Sequence, residues 1–173
     1  MSKSTALVRI VANYGHQYLG LLDDARTDDA QPQWVQLVAR GKKQGYAVGD
    51  VVKTTLSAMA GDSNMTYQGA IEGVHERRNL FYRSEFNKQK NLAANIDQVA
   101  IVCATEPGFS DELLGRALIC AHVAEIDVLI VLNKVDVAEL LPFARERLDL
   151  YQSLGYRVIE VSANQPDSLN TEL

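Results

Sequence analysis

Several things are scarce or missing in this sequence, and each shortage removes a class of protein. Only two cysteines, Cys103 and Cys120, occur in 173 residues. That is too few for a disulfide framework, and neither has a partner at metal-ligand spacing. Both lie in apolar segments and are expected as buried thiols in a reducing compartment. No apolar run approaches the ~20 residues that span a bilayer, so no membrane partner is expected. The opening MSKSTALVRIVANYG is basic and then apolar, but Arg9 interrupts it and no small-residue cleavage site follows. It does not read as a signal peptide, and the expected location is cytoplasmic. The three histidines, His16, His75 and His122, are scattered, whereas zinc needs clustered ligands. Asp23, Asp24, Asp28 and Asp29 lack the spaced oxygens and central glycine of a calcium loop and read as a solvated acidic loop. No Ser-His-Asp nucleophile pattern is present.

What is present is enough for a sizeable core, with 47% hydrophobic and 23% charged residues. The net charge of −5 is unevenly spread. Residues 1–95 hold 12 basic and 9 acidic side chains, whereas residues 96–173 hold 5 and 13. A basic front and an acidic back imply two domains with different partners.

The front half reads as short strands with turn punctuation: 6–12, 15–23, 34–39, 50–57 and a fifth within TYQGAIEGVHERRNLFYR. Five short strands without helical period suggest a small antiparallel barrel, with an open sandwich as the rival. Arg40, Lys42 and Lys43 form a basic loop. Arg77, Arg78, Arg83, Lys88 and Lys90 form a second basic cluster. Tyr46, Phe81 and Tyr82 lie among them. Such a mixture suits RNA, with cations on phosphate and rings on bases, and it also suits a solvated rim over a core.

The back half changes period. DQVAIVCA (97–104) is a short continuous apolar run fit for a strand buried on both faces. A helix is expected over 110–125, with Ser110 as N-cap, acidic residues in the first turn, and Leu113, Leu114, Ala117, Leu118 and Ala121 at helical spacing. DVLIVL is a second strand. Residues 137–155 are helical, with Leu148, Tyr151 and Leu154 on one side and Gly155 as a stop. YRVIEVSA is a third strand. The order β-α-β-α-β means a parallel sheet with right-handed crossovers.

In such sheets ligands sit outside the carboxyl ends of the strands. Asn133, Lys134 and Asp136 follow one strand, and Ser162 and Ala163 follow the neighbouring one. Guanine fits this rim chemically. Its N1–H and N2 amino group are adjacent donors that an ionised Asp136 can accept together, and adenine lacks that pair. Asn133 can offer its amide to N7 or tie the loops together. The Lys134 stem can cover the base while its ammonium stays wet. The Ala163 N–H can donate to O6. An Asn-Lys-x-Asp tetrapeptide alone arises by chance in roughly a few per cent of chains this long, so its setting carries the argument.

NKVD and SA resemble the two base-recognition motifs of the GTPases. No G-x-x-x-x-G-K-[ST] phosphate loop and no earlier Asp-x-x-Gly occurs. A front barrel followed by NLAANIDQVAIV, VLIVLNKVD and YQSLGYRVIEVSA, with VGDVV and RRNLFYR in weaker support, resembles the circularly permuted, ribosome small-subunit-dependent GTPases (RsgA, also called YjeQ). The likeness covers nearly the whole chain. It implies an amino-terminal OB-fold over 1–92. Residues 93–173 would be the first, α/β parallel-sheet part of a permuted P-loop GTPase domain. The expected ligands are GTP or GDP with Mg2+, and the expected partner is the small (30S) ribosomal subunit with its rRNA, in late maturation.

The phosphate loop, the Mg2+ ligands and a zinc subdomain are expected beyond Leu173. No catalytic or metal-binding residue is therefore expected within the chain, which would neither hydrolyse GTP nor hold it tightly. The sheet edge beside QVAIVCA would be bare and prone to self-association. The alternative is a non-catalytic OB-fold RNA-binding module with a structural α/β segment.

Overall fold

Alternation of apolar and polar residues along the first strands has one low-energy outcome, a sheet that buries one face. In the computed structural model, which describes residues 4–23, 32–40, 45–59, 67–85 and 88–165, that sheet closes on itself. Its strands are β1 (Ser4–Asn13), β2 (Gln17–Leu22), β3 (Trp34–Ala39), β4 (Val51–Ala58) and β5 (Tyr67–Val74). They are ordered β1-β2-β3-β5-β4, with β4 returning to β1 and β3 running parallel to β5. This is an OB-like barrel, and of the two forms left open by the strand pattern it is the closed one. Val8, Ile10, Tyr18, Val35, Leu37, Val52, Leu56 and Ile71 fill its interior. Full burial of such side chains contributes about 1.5–3 kcal/mol each. Thr54 is also fully buried, and its Oγ1 has no hydrogen-bond partner among the described residues.

The barrel belongs to the first of two compact units, Met1–Ile96, the second being Asp97–Leu173. The first unit also contains a hairpin of β6 (Leu80–Glu85) and β7 (Lys88–Ala94). β6 lies within the segment expected to hold the fifth strand, and β7 runs across the expected domain division at 92/93. Almost every residue of the hairpin is at least partly exposed, so it carries little alternation to read.

Polar contacts fasten this hairpin to residues 45–50. The Ala94 N–H donates to Val48 O at 2.8 Å, Asn91 Nδ2 to Gly45 O at 2.6 Å, and Asn95 Nδ2 to Gly49 O at 2.9 Å. Gly49 has φ +91°, and a Cβ there would lie 2.0 Å from Ala94 O, so only glycine fits. Beside it, the fully buried Asp50 carboxylate accepts from Arg77 Nε and Nη2 at 2.7 Å each and from the Ala47 N–H at 2.8 Å. A buried charge needs such pairing to persist.

The second unit is a three-stranded parallel sheet, β10-β9-β8, built from β8 (Gln98–Ala104), β9 (Asp127–Asn133) and β10 (Arg157–Glu160). Helices α1 (Asp111–Val123) and α2 (Leu141–Ser153) connect them. Ile101, Cys103, Val128, Ile130, Leu132 and Val158 share one sheet face and pack with Leu114, Leu118, Ala144 and Leu148. Both helices therefore lie on one side of the sheet, as successive right-handed crossovers require. Ser110 caps α1 by accepting from the Leu113 N–H at 3.3 Å, and Pro142 stands in the first turn of α2. The Arg145 guanidinium grips Glu160 through two 2.7 Å bonds, tying α2 to β10 and holding the Glu160 carboxyl below its usual range.

Three expected core positions point outward. Leu113 is 65% exposed because Leu114, Leu118 and Ala121 form the stripe that meets the sheet. Leu154, at 66%, is the C-cap of α2, past the last buried residue Leu148. Cys120 is exposed beside Ala121, so only Cys103 is a buried thiol. On the opposite sheet face, Val102 of the edge strand β8 is 64% exposed.

Candidate functional site

Adjacent parallel strands bring their carboxyl ends to one rim, and β9 and β10 do this in register, Leu132 opposite Glu160. Pairing continues past β10, with the Val161 N–H donating to Leu132 O at 2.8 Å and the Val135 N–H to Val161 O at 3.3 Å. The two tips are consequently stitched together.

Three side chains complete the seam. Asn133 Oδ1 accepts from the Lys134 N–H at 2.8 Å and from the Ala163 N–H at 3.2 Å. Two donors facing one atom fix which end of the amide is oxygen and leave the NH2 group to be offered elsewhere. The Ser162 hydroxyl, in a residue only 1% exposed, donates to Asp136 Oδ1 at 2.6 Å. This hydrogen bond is the main reason the Asp136 carboxyl is held below the usual aspartate value of 3.8; Asn164 and the Lys134 charge act in the same direction, and partial desolvation opposes them. Lys134 adopts a left-handed conformation, φ +64°, and its ammonium donates to Glu106 O at 2.6 Å. Asn133, Lys134, Asp136, Ser162 and Ala163 are thus brought together. Two details differ from the expected arrangement: the Ala163 N–H, expected to face a ligand, is engaged by Asn133, and the Lys134 ammonium, expected in water, is tied to Glu106 O.

Thr105 and Glu106, just after β8, belong to the same rim and were missed. The sequence marks them only by their place at the end of the apolar run of β8, with no motif to single them out.

The basic residues are more dispersed. Arg77, expected as an RNA candidate, has its guanidinium engaged by Asp50 and by Gly45 O at 2.8 Å. The Asp50 hydrogen bonds hold it charged, above its ordinary value. Arg78 is exposed and donates to Asn95 O at 3.2 Å. Arg83, Lys88 and Lys90 are exposed on the hairpin, with Arg83 opposite Lys90 and so on the same face. Tyr82 pairs with Asn91 and lies on the other face. Tyr46 packs edge-on against Tyr18 at 5.7 Å, as a core ring, while Phe81 is half-buried. Arg40 borders an open groove of about 320 Å³ with Gln36, Val38, Ser57 and Gln68. Lys42 and Lys43 lie outside the described residues, as do Asp24, Asp28 and Asp29. His16, His75 and His122 are exposed, and among the described residues no three of His, Cys, Asp and Glu gather as a metal site. Among those residues, too, no helix is long and apolar enough to cross a membrane.

An OB-like barrel ahead of a parallel sheet with NKVD and SA at adjoining tips is the layout of a circularly permuted GTPase. Two solved structures share the fold. One is YjeQ from Thermotoga maritima, with TM-score 0.60 and 22% identity, covering 94% of this chain and 53% of that one. The other is YloQ, described as a circularly permuted GTPase, with TM-score 0.60 and 22% identity, covering 96% and 54%. The family described as RsgA GTPase matches residues 74–173, and the chain belongs to that family. Relatives named small ribosomal subunit biogenesis GTPase RsgA include one from Burkholderia pseudomallei (strain 1710b), 46% identical over 166 residues. Another, from Paraburkholderia phymatum, is 45% identical over 165 residues. Each match spans 95% of this chain but 49% and 48% of the relative, so the chain spans about half the length of these curated proteins.

Proposed function

We propose that this chain carries the guanine-reading part of a GTP site, together with an RNA-contacting barrel, from a cytoplasmic GTPase that acts on the small ribosomal subunit during its late maturation. The observation that carries this reading is the seam at the rim, where Asn133 bridges both tips and Ser162 orients the ionised Asp136. In this reading the two Asp136 oxygens accept the N1–H and N2 amino group of guanine. The Asn133 NH2 group meets N7, and the Lys134 stem flanks the ring. The Ala163 N–H, held at a long 3.2 Å by Asn133, is shared with O6 when a base arrives.

Phosphoryl transfer is mostly a matter of positioning by a phosphate loop and Mg2+. Neither a phosphate-loop motif nor a cluster of metal ligands occurs among the described residues. We assign the phosphate-binding, Mg2+-binding and zinc-binding parts to the half of the relatives that this chain does not span. The 173 residues alone are then a base reader of millimolar rather than micromolar affinity and do not hydrolyse GTP. For RNA, Lys88, Lys90 and Arg83 on one hairpin face are the favoured contacts, with Arg78 and Arg40 as further cations.

The test is an amide-resolved NMR titration of the chain with GMP and AMP at millimolar concentration. GMP is expected to move the amides of residues 133–137 and 162–164, and AMP is not. In Asp136→Asn the preference shifts toward XMP, whose added carbonyl suits an amide donor. Unchanged GMP selectivity in that variant removes Asp136 from the site.

A further inference from the structure

We propose that Thr105 is a positioning residue for base recognition. It holds the Asn133–Lys134 turn in the one conformation that lets Asn133 and Asp136 face a ligand together. The inference rests on the guanine reading above and extends it to a third strand.

Thr105 is 5% exposed, and both of its donors go to this turn. Its N–H donates to Asn133 O at 3.2 Å and its Oγ1 to Lys134 O at 2.9 Å. That second carbonyl belongs to a residue with φ +64°, a region that lysine enters only when its surroundings hold it there. Three contacts do so. Besides Thr105, the Lys134 ammonium is tied to Glu106 O at 2.6 Å, and the Val137 N–H closes the turn on Lys134 O at 3.0 Å. The left-handed step at 134 comes directly after the Lys134 N–H that donates to Asn133 Oδ1, and it carries the chain round so that Asp136 reaches Ser162.

The loop that leads on from Thr105 and Glu106 into α1 is in turn tied to α2. Arg147 donates to Phe109 O at 2.6 Å, pairs with Asp111 at 2.8 Å and lies 4.0 Å over the Phe109 ring. The rim is thus a three-strand device. The tips of β9 and β10 carry the groups that meet a base, and the tip of β8 sets the angle at which they do so.

Thr105→Val keeps the shape and loses the hydroxyl, whereas Thr105→Ser keeps the hydroxyl. In the same NMR titration of the 173-residue chain, Thr105→Val is expected to weaken GMP binding about three- to tenfold, the range of one net hydrogen bond. AMP still gives no response, and Thr105→Ser binds GMP like the parent. Amide exchange at Lys134 and Val135 is expected to quicken in the Val variant only. Parent-like GMP binding by Thr105→Val, or equal loss in Thr105→Ser, overturns the positioning role. A parent chain that binds GMP and AMP alike overturns the guanine reading itself.

Discussion

The Ser162–Asp136 hydrogen bond is the residue-scale fact with the clearest solution signature. A carboxyl whose titration lies below its unfolded value contributes stability that is present above the ordinary aspartate range and is lost as pH falls through the lowered midpoint. Side-chain NMR of Asp136 is expected to give a midpoint below 3.8, and Ser162→Ala is expected to raise it towards that value. A midpoint unmoved by Ser162→Ala means that the hydroxyl is not the cause. The proximity of these two residues was legible beforehand, because parallel neighbouring strands must end on one rim. The Thr105 clamp was not legible, since one threonine after a strand has no spacing or periodicity to mark it. Nor was the fate of Arg77, because sequence order does not reveal that Asp50, distant along the chain, takes both of its forks.

At the scale of elements, legibility follows how much a segment buries. The strands of the barrel and of the parallel sheet each hide an apolar face, so alternation or a continuous apolar run betrays them. The hairpin of β6 and β7 hides little and is held by backbone and asparagine bonds, so NKQKN reads as a connection. Helix faces were legible to within a residue or two. Leu113 and Leu154 show the limit, because helical spacing alone does not say which edge of a broad stripe meets the sheet.

Within the barrel, β4 carries one local inconsistency, the buried hydroxyl of Thr54 with no partner among the described residues. Thr54→Val removes that desolvated group at nearly constant shape and is expected to stabilise the chain by about 1 kcal/mol. Urea unfolding measures this directly, and a loss of stability would point to a partner for the hydroxyl.

For the molecule as a whole, charge and architecture divide along the same line. The front of the chain is basic and carries the barrel and hairpin, whereas the back is acidic and carries the NKVD and SA rim. A polyanion should therefore engage the first unit, with affinity falling steeply as salt rises. If Lys88 and Lys90 each neutralise a phosphate, Lys88→Ala and Lys90→Ala each reduce the slope of log affinity against log salt by about 1. Filter binding to a small-subunit rRNA fragment over a salt series reads this slope, and parallel lines for parent and variants exclude the hairpin.

The contact of Gly49 with Ala94 O reaches beyond the folded molecule to its gene. A glycine codon changes in one nucleotide step to alanine, valine, serine, cysteine, arginine, tryptophan, aspartate or glutamate. Every one of these brings the carbon atom that collides with the hairpin's last strand. Position 49 therefore has no neighbour in sequence space that leaves the hairpin seated, and drift there is closed to any single point mutation that alters the residue.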